Sequence, residues 1–198
     1  NHIGDYKLNG YNFTKYLLKS NRINWFGTEN KTIKIINNNN KIILSGYCCL
    51  STNPSHIKIP NNKDINYLDY NKMIKNLVDY KNKGFFNIVS IHHGIEHIHL
   101  VSSEDIKFAR NLSTKIDYIY YGHHPHVLQP FEQINNSKIF YSLGNCLFDD
   151  VYRQKKDKKP LVKMTEANRL GGIATIEIKS NKVINNKLVN IYLSNKKI

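Results

Sequence analysis

The sequence predicts an α/β or α+β sandwich. Three observations carry that reading. Helical and strand patterns alternate through the first two-thirds of the chain, strands dominate the remainder, and the run FFNIVSI at 85–91 is apolar almost without interruption. Such a run suits a strand buried on both faces, in a sheet covered by helices or by a second sheet.

The elements follow in order. Residues 11–21 (YNFTKYLLKSN) place apolar side chains at 13, 16, 17 and 18, the spacing of a short amphipathic helix. KTIKII, NNNN and KIILSGYCC then read as strand, turn and strand, because Asn tolerates positive φ and bonds its own backbone in turns. Over 66–83, Leu68, Met73, Ile74 and Leu77 recur at helical spacing, and Gly84 stops the helix. Ser102 with Asp105 three residues on resembles a capping box, opening a helix through Ile106, Phe108, Ala109 and Leu112. DYIYYG (117–122) is the next strand. VLQPFEQINNSKIFYSLGN forms two strands about Asn135-Asn136, and GGIATIEI with KLVNIYL closes the chain as a last pair. With 198 residues, no repeats and no convincing linker, 1–198 reads as a single domain.

Composition narrows the function classes. No stretch approaches the roughly 18 apolar residues needed to span a bilayer, and no signal-peptide pattern is present. The net charge of +14 suits a polyanion partner, yet only four of the 29 basic residues are Arg (22, 110, 153 and 169). Lys is the weaker choice for bidentate phosphate recognition, and Lys, Asn and Ile together reflect an AT-rich genome. The run RQKKDKKP at 153–160 reads as a solvated loop. No RNP-type aromatic motif or zinc-finger spacing accompanies the charge, so nucleic acid is not expected as a partner. Cys48, Cys49 and Cys146, an odd count with two adjacent residues, make no disulfide framework, and the CC pair reads as core.

The histidines carry the chemistry. Strand FFNIVSI runs into His92-His93-Gly94, strand DYIYYG into His123-His124-Pro125-His126, and IFYSL into Gly144-Asn145. Three strands thus deliver polar, metal-competent groups at their C-terminal ends, where open α/β sheets place their sites. Neutral imidazole is the commonest ligand for zinc, iron and manganese, and an H-x-H pair can bind one ion or reach toward two. Gly94, Gly122 and Gly144 ease the chain around these corners, and Pro125 stiffens the HHPH loop. His97 and His99 read as structural or exposed, and His56 as a loop residue without a partner.

The segments NHIGDY, IHHGIEH, GHHPHVLQPFE and IFYSLGN, in that order, resemble the CapA/PgsA family of capsule-synthesis proteins, relatives of the calcineurin-like metallophosphoesterases. The resemblance implies a four-layer αββα sandwich, two mixed β-sheets packed face to face with helices outside. It also implies two divalent metal ions (Mn, Fe or Zn) at the strand ends. Matched by motif, Asn1, His92, His124 and His126 would be metal ligands. His2 would act as general acid, with Asp5 orienting it, and His123 would lie near the substrate, although His123 and His124 can exchange roles. Glu96 would hold a ligand imidazole in the right tautomer, and Asn145 would hold the loops together. The implied reaction is phosphoester hydrolysis by water that the two ions activate, with His2 protonating the leaving group.

The chain departs from the family pattern at His93, His97 and Cys146, which stand where relatives carry Trp, Tyr and Phe; the two extra imidazoles read as incidental. It opens on Asn rather than Met, after the point where family members carry a first strand with a bridging Asp, so the fold is expected to lack its N-terminal strand segment. The resemblance favours the bacterial cell envelope or membrane as location. The implied partners are a phosphoester substrate or an anionic polymer such as poly-γ-glutamate, and other capsule-synthesis subunits. An accessory, non-catalytic polymer-binding role is the alternative.

Overall fold

The computed structural model describes residues 1–3, 5–37, 39–52, 65–152, 154 and 159–194; His56 and most of the 153–160 run lie outside them. The chain runs α1 (Lys7–Ser20), β1 (Ile33–Asn37), β2 (Asn40–Cys48), a 3₁₀ turn (Leu50–Thr52), α2 (Tyr70–Asn82), β3 (Phe86–His92), α3 (Ser103–Ser113) and β4 (Tyr118–His123). It continues through β5 (Phe131–Ile134), β6 (Ser137–Phe140), α4 (Glu166–Arg169), β7 (Leu170–Lys179) and β8 (Lys182–Tyr192).

The local signals act largely as expected. Asn37 accepts from the amides of Asn39 and Asn40 through its side chain, closing the first hairpin. Asp69 caps α2 by accepting from the Lys72 amide, and Gly84 follows that helix at φ +82°. Ser102 accepts from the Asp105 amide, but the Asp105 carboxylate takes the Ser102 hydroxyl instead of reaching back to the backbone. Helix α1 begins at Lys7, four residues before the stretch whose spacing predicts it. Helix α4 and the 3₁₀ turn are too short to leave an apolar period in the sequence.

Six strands form one mixed sheet in the order β1-β2-β3-β4-β6-β5. Its four central strands are parallel and its edges antiparallel. Strand β3 is buried on both faces because side chains alternate between two different coverings. Val89 and Ile91 pack under α2 and α3, against Met73, Leu77, Phe108 and Leu112. Phe86 and Ile88, with Ile119 and Phe140, face the opposite way onto Ala174, Ile176 and Ile178 of β7 and Val183 of β8. Each such fully buried aliphatic side chain contributes roughly 1.5–3 kcal/mol. Two sheets therefore pack face to face, as expected, with α2 and α3 outside the six-stranded one; among the described residues the second sheet is the two-stranded antiparallel β7–β8 ribbon and not a mixed sheet. No helix among them is long and apolar enough to cross a membrane.

Because β2, β3, β4 and β6 run parallel, their C-terminal ends share one edge. Cys48 pairs with His92, and His92 with His123, in a single row across three strands.

Candidate functional site

The loops leaving that row are tightly constrained. After β4 the chain passes through His124 at φ +110° and His126 at φ +57°, left-handed conformations that cost a non-glycine residue about 1–3 kcal/mol each and cluster at functional sites. Surrounding contacts hold them there. The His93 amide donates to the His123 carbonyl, and the His97 amide to the carbonyl of Pro125. Gly94 (φ +116°) lies against the Pro125 ring. Gly122 acts by close approach and not by a positive φ, for a Cβ there would stand 1.9 Å from the Tyr141 carbonyl oxygen.

The histidine rings gather at this edge. The His92 centroid lies 4.6 Å from that of His124 and 5.0 Å from that of His123, and His124 lies 6.5 Å from His126. A cleft of about 300 Å³ is lined by Asn1, His2, Thr52, Glu96, His124 and His126. Asn1 and His2 also border an adjoining cleft of about 490 Å³, which reaches His92 and His123. The nine residues singled out from sequence thus fall around one locus. Asp5 bonds the His2 ring there, its Oδ2 lying 2.9 Å from Nδ1, and Asn145 is buried beside His126.

Hydrogen bonds orient the rings. Asn145 Nδ2 donates to the carbonyls of His126 and Asn168, at 3.3 and 2.9 Å, which fixes the amide and leaves Oδ1 to accept from His126 Nδ1 at 2.8 Å. His126 Nε2 therefore keeps its lone pair. His92 Nδ1 lies 2.9 Å from Thr52 Oγ1 and 3.7 Å from the Sγ of buried Cys48. His123 Nε2 lies 2.9 Å from Ser90 Oγ. Glu96 lines the same cleft as His124, but among the described residues no hydrogen bond joins it to an imidazole; Asn145 and Thr52 are the side chains that meet Nδ1 of His126 and His92.

Electrostatics favour the neutral forms of His92, His123 and His124. Desolvation, then the neighbouring imidazoles of His123 and His124, push His92 down to about 3. Burial also lowers His124, with Glu96 opposing, and lowers His123. Neutral rings with free lone pairs are what a divalent ion requires. Among the described residues, however, no three His, Cys, Asp or Glu side chains close around one point. The donor chemistry fits a transition-metal ion; the enclosure does not follow from these side chains alone.

Three participants escape a sequence reading. Thr52 reaches His92 across 40 positions. Asn168, almost wholly buried, donates to His97 Nδ1 at 2.7 Å and to the His126 carbonyl at 3.0 Å. Its only local signal is the capping box it makes with Thr165. Asp105 lies 2.8 Å from His93 Nδ1, which holds that imidazole above its ordinary pKa. His93 and His97 are thus bonded beside the site without lining its clefts, His97 on an exposed segment.

The family model for "Bacterial capsule synthesis protein PGA_cap" matches residues 1–150. Over 70 residues the chain is 40% identical to the PGA biosynthesis protein CapA of Bacillus subtilis (strain 168), covering 35% of this chain and 18% of that protein. It is 39% identical over 70 residues to the capsule biosynthesis protein CapA of Bacillus anthracis, covering 35% of this chain and 17% of that one. The matched stretch is thus less than a fifth of either relative's length. A solved structure described as a 5′-nucleotidase from Staphylococcus aureus, in complex with α-ketoglutarate, superposes with a TM-score of 0.51 at 12% identity. That superposition covers 93% of this chain and 36% of the other, and it shows a shared fold.

Proposed function

The chain belongs to the bacterial capsule synthesis protein PGA_cap family, and from that premise we propose that it is a metal-dependent phosphoesterase-like protein of capsule or cell-envelope polymer synthesis. One observation carries the reading: imidazoles from separate strand ends gather beside the His2–Asp5 pair, on a fold shared with a protein described as a nucleotidase. His92, His124 and His126, with the Asn1 amide oxygen, would hold two divalent ions such as manganese, iron or zinc. Bound there, the ions would supply Lewis-acid chemistry, making water nucleophilic near neutral pH and offsetting phosphoryl charge.

The chain's own groups supply the rest. The Asp5 carboxylate accepts from His2 Nδ1, which orients the ring. As general acid, His2 would deliver a proton from Nε2 to the leaving oxygen. His123, whose Nε2 lies 2.9 Å from Ser90 Oγ, would bond a phosphoryl oxygen. Buried Asn145 and Asn168 keep His126 and its loop from moving as charge develops.

The net charge of +14 favours a second reading, an accessory subunit that binds an anionic polymer such as poly-γ-glutamate beside other capsule-synthesis subunits. One experiment separates the two. Metal content, phosphodiester turnover and polymer binding are measured on the protein and on His126→Ala. The hydrolytic reading expects bound manganese, iron or zinc, and turnover that falls at least 100-fold in the variant. No metal and no turnover, with polymer affinity that survives the substitution and fades with rising salt, would establish the accessory role.

A further inference from the structure

Thr52 ends the 3₁₀ turn after β2, and its side chain is buried against the last residue of β3. Its Oγ1 lies 3.1 Å from the Cys49 carbonyl oxygen, 3.2 Å from the His92 carbonyl oxygen and 2.9 Å from His92 Nδ1. The two carbonyls can only accept, so the single hydroxyl hydrogen has two acceptors on the backbone side. Its lone pairs are left facing the ring.

We propose that Thr52 is a positioning residue that sets His92 in its Nδ1–H tautomer, leaving the Nε2 lone pair for a divalent ion. The metal arm of this inference rests on the proposed function; the tautomer does not. Asn145 imposes the same tautomer on His126 through an amide whose orientation its own donor contacts fix. Two imidazoles on different strand ends are thus prepared alike by unrelated side chains, one a hydroxyl and one an amide. Cys48 cannot substitute for Thr52, since its Sγ stands 3.7 Å from Nδ1 and its own nearest backbone acceptor is the Cys49 carbonyl. A thiol is also a much weaker partner than a hydroxyl. The adjacent Cys49 amide donates to the His92 carbonyl at 2.9 Å, so ring and backbone of His92 are held from the same turn.

The test uses Thr52→Val, which keeps the shape and removes the hydroxyl, and Thr52→Ser, which restores it. Two-bond proton–nitrogen correlation spectra of the ¹⁵N-labelled metal-free protein report the tautomer, with the His92 signal identified by its loss in His92→Gln. The expected result is Nδ1–H in the wild type and in Thr52→Ser, with the Nε2–H form appearing in Thr52→Val. Calorimetric titration with Mn²⁺ or Zn²⁺ should then show affinity about 10–100-fold weaker in Thr52→Val and largely recovered in Thr52→Ser. An Nε2–H tautomer in the wild type overturns the inference, and that reading requires no variant to fold. An unchanged tautomer in a folded Thr52→Val overturns it as well. If the tautomers behave as stated while the wild type binds neither ion, the positioning stands and the hydrolytic proposal fails.

Discussion

Asn145→Ala tests the network beneath the site most directly. The side chain is 5% exposed and makes three hydrogen bonds, to His126 Nδ1, the His126 carbonyl and the Asn168 carbonyl. The His126 carbonyl retains a second donor, Asn168 Nδ2 at 3.0 Å, so its loss is small. His126 Nδ1 and the Asn168 carbonyl are left exposed to the cost of an unmet buried group, about 1–3 kcal/mol each. Water can enter the polar hole and recover part of that, so about 2–4 kcal/mol of destabilisation is expected. For a chain of this length the fall in Tm is about 4–16 °C. Urea denaturation at pH 8, with the m-value unchanged, reads the same quantity as a lowered midpoint. A change below about 0.5 kcal/mol, the range of an inert surface substitution, would refute the argument that Asn145 ties the two loops together.

Two further outcomes follow. Gly122→Ala would drive a Cβ to 1.9 Å from the Tyr141 oxygen, and since neither backbone can yield without parting β4 from β6, a loss of about 3 kcal/mol or more is expected; a wild-type urea midpoint would contradict it. The depressed pKa of buried His92 makes the metal-free protein acid-sensitive. Below the ordinary histidine pKa of 6.5 the unfolded chain takes a proton that the folded chain refuses, so stability is complete above about 6.5 and falls as pH drops toward about 3. The slope from this group is at most about 1.4 kcal/mol per pH unit, and His92→Gln should flatten it in a series of urea midpoints.

What the sequence makes legible is whatever short-range pattern encodes. The apolar run ending in His92 and the one ending in His123 can be read directly, because a buried parallel strand leaves a continuous signature and its end is marked by a glycine or a polar cluster. The turn at Asn37 and the caps at Asp69 and Ser102 are equally local. What escapes is contact between residues far apart in the chain. Thr52 looks like any loop threonine until β2 and β3 lie side by side. Asp105 reads as a helix cap, yet its carboxylate also meets His93 and the Tyr70 hydroxyl, 12 residues before it and 35 before it. The resemblance singles out His2 and Asp5 together, and three residues of chain bring Asp5 Oδ2 within 2.9 Å of His2 Nδ1.

The alignment of Cys48, His92 and His123 across three parallel strands also has a kinetic consequence. Parallel strands must close long loops before any pairing stabilises them, which makes such contacts slow to form. Cys48 and His92 are 44 residues apart, and the last clamp on His126 waits for Asn145, 19 residues further on. The cluster therefore matures only when several remote pairings are complete, and a one-residue slip in any of them would turn the histidines to the opposite face. A chain emerging from the ribosome would leave His126 without this clamp until residue 145 had been made, so the locus is completed late in folding.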